Sequence, residues 1–172
     1  KDHERSEVQL VEQMAPYVRD GFIGVKAADE IDELGPLINK GDQTGFILNK
    51  SARATGGSHW VAVFIAWSNT KHHAPEIDYY DPFGDPPPRE IKRALKELVK
   101  TRKGLDVLLK FKVNRVPNQS QQSSTCGYQS MRFLQDMFKG KSFKDATNFT
   151  VAGGEAAARA LIGGKCPRFG YM

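Results

Sequence analysis

The chain has 172 residues, 40% of them hydrophobic and 26% charged, with a formal net charge of +5. That describes one domain large enough to bury a core unaided, and it excludes a disordered or fibrous chain. Two cysteines are too few for a disulfide scaffold, and no apolar run approaches the roughly 18 residues of a membrane span.

The expectation is a single domain over residues 1–172 in a reducing, intracellular setting, with no signal peptide visible. The charge is unevenly spread. From Arg89 to Lys112 there are nine Lys/Arg against three Asp/Glu, a net +6, so the rest of the chain sums to −1. One basic patch therefore sits on an otherwise balanced protein.

In chain order, Ser6 is a candidate N-cap for a helix over 6–15 with Val8, Val11 and Met14 apolar, stopping before Pro16. Gly21–Val25 reads as a short strand, followed by an acidic, turn-rich stretch from Asp29 to Gly35. Thr44–Asn49 is a second strand. Gly56-Gly57 mark a tight turn into His59–Ala66, whose two alternating faces are both apolar, as in a central strand covered on both sides. Asn69–Pro75 is a loop, and Ile77–Tyr80 a further strand that Pro82 and Gly84 terminate.

Pro86-Pro87-Pro88 leads stiffly into a helix over Arg89–Lys103. Its apolar stripe is Ile91, Ala94, Leu95, Leu98 and Val99, and its other face carries Arg89, Lys92, Arg93, Lys96 and Lys100. Leu108–Val113 is another strand. The polar run from Gln119 ends at Cys126, after which Tyr128, Met131, Leu134 and Phe138 recur at helical spacing, with Phe133 and Met137 beside them. Cys126 is thus the first residue of a largely buried helix. Beyond Gly140 the pattern weakens to a loop and an alanine-rich helix near Glu155–Ile162, closed by Gly163-Gly164. This mixed order predicts an α+β fold, one sheet packed against the cysteine helix.

A thiol at a helix N-terminus faces unpaired N–H groups and partial positive charge, both of which favour the thiolate. His59 starts the central strand and Asp81 ends the next. If those strands are antiparallel neighbours, the carboxylate can orient the imidazole. Gln119, seven residues before Cys126, offers a side-chain NH₂ that can converge with the Cys126 backbone N–H on an oxyanion. Together they suit acyl transfer at a peptide or isopeptide carbonyl. Each also has a plainer reading: a buried core cysteine, a strand histidine, a turn-starting aspartate. Gln121 and Gln122 compete with Gln119 as the donor. Gly140-Lys141-Ser142 lacks the upstream glycine of a phosphate loop, His72-His73 lacks partners at metal spacing, and Asn148-Phe149-Thr150 is a glycosylation sequon by pattern only.

Gly56-Gly57-Ser58-His59-Trp60, Tyr80-Asp81-Pro82-Phe83-Gly84 and Gln119-Ser120-x-x-Ser123-x-x-Cys126-Gly127 resemble the adenain family of virus maturation proteases. Its relatives occur in virophages and large virus-like DNA transposons, and SUMO-specific proteases are more distant. Phe22-Ile23-Gly24 with Asp29-Glu30, and Ile47-Leu48-Asn49, fit the same pattern. The resemblance covers about residues 20–138 and leaves 139–172 as a C-terminal extension.

It implies a permuted papain-like fold and a cysteine endopeptidase. Its catalytic residues would be Cys126, His59, Asp81 and Gln119, and its substrates capsid and core precursors cut at Gly-containing sites in the infected cell and virion. Asp81 stands where adenovirus enzymes have Glu; the SUMO-specific enzymes use Asp. The family also implies activation by DNA, for which the Arg89, Lys92, Arg93, Lys96 and Lys100 face is the candidate, and by a short basic peptide. No cofactor is expected for the chemistry itself, nor a membrane partner. A ubiquitin- or SUMO-deconjugating protease is the alternative activity, and a nucleic-acid-binding structural protein the alternative class. The run Leu161-Ile162-Gly163-Gly164 before Lys165 also fits a family cleavage site, against a plain helix cap.

Overall fold

A computed structural model describes residues 2–38, 42–50, 59–67, 74–104, 108–119 and 126–161. Its centre is a five-stranded mixed sheet whose spatial order follows the chain: β1 (Phe22–Ala27), β2 (Gln43–Asn49), β3 (Trp60–Ala66), β4 (Glu76–Tyr80) and β5 (Lys110–Val113). The outer pairs, β1 with β2 and β4 with β5, are parallel, while β3 runs antiparallel to both neighbours. The predicted double-sided burial of β3 is what the fold shows. Trp60, Ala62 and Phe64 enter one core and Val61, Val63 and Ile65 the other, all of them buried.

Each face of the sheet is covered by helix. On one side lies α2 (Arg89–Lys103), which buries Ile91, Leu95, Leu98 and Val99 against Ile77, Tyr79 and the short 3-10 turns of residues 28–37. On the other lies α3 (Cys126–Phe138), buried along nearly its whole length. A helix enclosed on all sides is a core element, and its polar residues must then find partners. Ser130 donates to the Trp60 carbonyl at 3.2 Å, and Arg132 donates to Tyr80 Oη at 3.1 Å, Ala146 O at 3.1 Å and Asp136 at 3.0 Å. Tyr80 stacks on Phe133 at 4.7 Å, joining β4 to α3.

Two helical regions differ from expectation. The N-terminal helix, α1 (Asp2–Met14), begins four residues earlier than predicted and runs into a 3-10 turn over Ala15–Asp20 that Pro16 helps to start. It buries Leu10 and Met14, one turn apart, and leaves Val8 and Val11 exposed, so its apolar stripe lies on a different face from the one the valines indicated. Beyond α3, the stretch expected to be loop contains a short helix, α4 (Phe143–Thr147), and the alanine-rich helix starts earlier, as α5 (Val151–Ala160).

Caps explain both starts. Ser142 accepts from Asp145 N at 3.1 Å, and Thr150 accepts from Gly153 N at 3.0 Å. The hydroxyls of the apparent phosphate-loop end and of the apparent sequon are therefore structural. The predicted Gly56-Gly57 turn, the His72-His73 pair, and Gly163-Gly164 with Cys166 lie outside the described residues. Among the described residues no helix is long and apolar enough to cross a membrane.

Candidate active site

Antiparallel pairing on both sides of β3 brings three strand ends to one edge of the sheet: the end of β2, the start of β3 and the end of β4. Lys50, His59 and Asp81 each lie one residue beyond those ends and are neighbours there. His59 Nε2 lies 2.6 Å from Asp81 Oδ1. The carboxylate accepts, so Nε2 carries a proton, and in the neutral ring Nδ1 is the nitrogen with the lone pair. Nδ1 is buried and has no hydrogen-bond partner among the described residues. The imidazole stacks on Phe83 at 4.5 Å, which fixes its plane.

Asp81 is fully buried, and a buried carboxylate must be paired to stay ionised. Oδ1 also accepts from Phe83 N at 2.8 Å, and Oδ2 accepts from Lys50 Nζ at 3.2 Å. Its backbone is clamped by the side chain of Asn114, just past β5. Asp81 N donates to Asn114 Oδ1 at 2.8 Å, and Asn114 Nδ2 donates to Asp81 O at 2.6 Å. The chain then turns sharply at Gly84, whose φ of +78° suits glycine and whose absent Cβ would lie 2.9 Å from Arg115 O.

Cys126 approaches this edge from α3. Its side chain is fully buried, and its thiol is in hydrogen-bonding contact with the backbone of Trp60, the residue next to His59. Burial pushes the thiol up to about 12. The Asp81 charge adds to that, while backbone hydrogen bonds at Trp60, Gly127 and Cys126 itself pull the other way. The helix N-terminus acts in the direction read from the sequence, toward the thiolate, and desolvation acts against it.

Gln119 is buried, 2% exposed, immediately after Asn118. Residues 120–125, including the competing Gln121 and Gln122, lie outside the described residues. Sequence reasoning missed the role of Asn118. Its backbone N donates to Pro82 O at 2.7 Å, in the turn after Asp81. Its side chain accepts from Tyr80 Oη at 2.8 Å and donates to Phe149 O at 2.7 Å, and its carbonyl accepts from Gln129 Nε2 of α3 at 2.7 Å. The segment carrying Gln119 is thereby tied to β4, the Asp81 turn, α3 and the α4–α5 connection. A buried amide with all its groups satisfied specifies one geometry.

The basic residues of α2 fall elsewhere. Arg89, Lys92, Arg93, Lys96 and Lys100 line, with Glu97, a shallow concavity of about 360 Å³ on a helix that covers the face of the sheet opposite α3. Lys92 also lies over the Phe111 ring at 5.3 Å. Arg102 turns the other way, over Trp67 at 4.7 Å, and takes no part in that face.

Residues 8–153 match the Ulp1 protease family, C-terminal catalytic domain. A protein of Acanthamoeba polyphaga mimivirus named as a thiol protease is 29% identical over 109 residues, covering 62% of this chain and 33% of that protein. The chain thus spans about a third of that relative's length. Among solved structures, an ASFV protease superposes with a TM-score of 0.65 at 16% identity, covering 88% of this chain and 62% of that one. A de-sumoylating protease superposes with a TM-score of 0.51 at 14% identity, covering 93% of this chain and 76% of that one. At these identities the superpositions establish the fold, an Ulp1-like, papain-like α+β arrangement.

Proposed function

We propose that this chain, which belongs to the Ulp1 protease family and is therefore a cysteine peptidase, is a viral-type maturation endopeptidase that cuts precursor proteins at Gly-containing sites. The observation that carries the catalytic assignment is the 2.6 Å contact of His59 Nε2 with Asp81 Oδ1, beside the residue whose backbone meets the Cys126 thiol. Cys126 is the nucleophile. His59 Nδ1 takes the thiol proton as sulfur attacks the scissile carbonyl and later returns it to the leaving amine, and Asp81 stabilises the intervening imidazolium. Gln119 and the Cys126 backbone N–H hold the oxyanion.

The viral reading is supported by the order and spacing of the His59, Asp81, Gln119 and Cys126 motifs and by similarity to viral proteases. Substrates are then capsid and core precursors, in the infected cell and virion. The second reading, removal of a ubiquitin-like modifier, is favoured by similarity to a de-sumoylating enzyme. Cleavage of a peptide library ending in Leu-x-Gly-Gly and of a SUMO–peptide fusion, measured side by side, separates them. Higher kcat/KM on the peptides supports maturation, and higher kcat/KM on the fusion replaces it with deconjugation.

On the maturation reading, the α2 cations bind the DNA backbone without sequence preference and weaken steeply with salt. Reversing Arg93, Lys96 and Lys100 to Glu removes duplex binding and leaves short-peptide cleavage without DNA intact. Binding that survives the reversal places the polyanion site elsewhere.

A further inference from the structure

We infer that Lys50 is a positioning residue of the active site, an ammonium that shares the Asp81 carboxylate with His59 and tempers the carboxylate's stabilisation of an imidazolium. The inference rests on the catalytic reading above but concerns a residue that reading does not use. Asp81 is fully buried and meets two nitrogen donors, His59 Nε2 at Oδ1 (2.6 Å) and Lys50 Nζ at Oδ2 (3.2 Å). The placement is built into the sheet. Lys50 N donates to His59 O at 3.0 Å, continuing the β2–β3 ladder one rung past Asn49 and Trp60, so the ammonium arrives on a rigid strand end. The Lys50 side chain is 20% exposed, shielded enough for its charge to act on a carboxylate that has no exposure of its own.

A lone buried carboxylate beside an imidazole favours the imidazolium, because that form alone neutralises it. With Lys50 in place the carboxylate is already neutralised when His59 is uncharged, and protonating His59 gives the three groups a net positive charge. Lys50 therefore lowers the advantage of the imidazolium. It also restrains Asp81, taking Oδ2 so that Oδ1 faces the ring. Other titratable or charged groups facing this cluster are Cys126 from α3, Tyr79 and Tyr80 from β4, and Asp85 beyond the turn, with Arg132 linked through the Tyr80 hydroxyl. Burial raises Tyr79, Tyr80 and Cys126, which leaves Lys50, among the described residues, as the fixed cation bonded directly to Asp81.

The test is the imidazole ¹⁵N NMR titration of His59 in wild type, Lys50→Met and Lys50→Arg, with the pH profile of peptide cleavage recorded on the same samples. Met keeps the packed stem and removes the charge; Arg restores it. The expected result is that His59 in Lys50→Met titrates about half a unit or more above wild type, and the acid limb of kcat/KM, which reports the uncharged base, moves up with it. Lys50→Arg returns both to the wild-type position. Coincident titrations in wild type and Lys50→Met overturn the inference even where cleavage falls, since a purely orienting lysine changes kcat without moving the titration. A shifted titration in a chain that cleaves nothing upholds the electrostatic coupling and defeats the protease reading instead.

Discussion

Cys126 sits where two effects oppose each other. Backbone N–H groups at the start of α3 favour the thiolate, and complete burial beside the Asp81 charge disfavours it, with burial ahead. The consequence is a pH dependence with a definite sign. A thiol pushed up to about 12 is a minority thiolate throughout the working range, so its iodoacetamide alkylation rate in the free enzyme rises about tenfold per pH unit from pH 6 to 9. A rate that is flat from pH 5 to 8 indicates a His-paired thiolate at rest and contradicts that assignment. Gln119 makes a separate prediction: Gln119→Ala lowers kcat by roughly 10²–10³ with KM little changed, the usual cost of one oxyanion donor. If Gln121→Ala or Gln122→Ala does this instead, the donor is misassigned.

At the scale of elements, the region after α3 serves as a buttress for the site. α5 passes so close to the Gln119 segment that a Cβ on Gly154 would lie 2.3 Å from Asn118 O. Alanine is the better helix former by about 1 kcal/mol, but a contact with backbone at that distance forces the elements apart, at about 1–3 kcal/mol or more. The clash outweighs the propensity, so Gly154→Ala is expected to lower Tm by several degrees and to lower kcat by displacing Asn118. A Tm equal to or above wild type shows that α5 moves freely and does not brace the site. This contact was illegible in the sequence, where Gly153-Gly154 looks like a helix breaker; only the approach of a chain segment 36 residues earlier gives the glycine a reason. α2 and α3 were legible because each carries a strong periodic pattern with a clear start. α4 was not, since five residues are too few for a periodicity.

Across the whole molecule, the sheet determines which residues meet. The His59–Asp81 pairing was readable from strand order, because a start and an end converge only if β3 and β4 are antiparallel. Lys50 and Asn114 were not, because nothing in their local sequence marks them; they matter through the ends of β2 and β5. The same sheet buries a second carboxyl cluster near its opposite end. Asp78 on β4 is pushed far above the usual carboxylate range, first by desolvation and then by its hydrogen bond to Glu76 and that group's charge, while Lys112 acts against the shift. The folded state therefore keeps a proton that the unfolded chain releases above about pH 4. This contribution to stability is full below that pH and declines as pH rises toward the folded value, by up to about 1.4 kcal/mol per unit. Asp78→Asn preserves a donor for Glu76, so urea unfolding at pH 5 and pH 8 should show a smaller pH loss than wild type and greater stability at pH 8. Lower stability than wild type at pH 8 reveals an ionised Asp78 paired with Lys112 instead. The central claim, a thiol made nucleophilic by His59, is tested most directly by intact-mass analysis after incubation with a peptide vinyl methyl ester ending in glycine. A single adduct, mapped to Cys126, is expected to form in wild type and to be lost in His59→Ala; no adduct in wild type, or one that forms equally fast without His59, contradicts that claim.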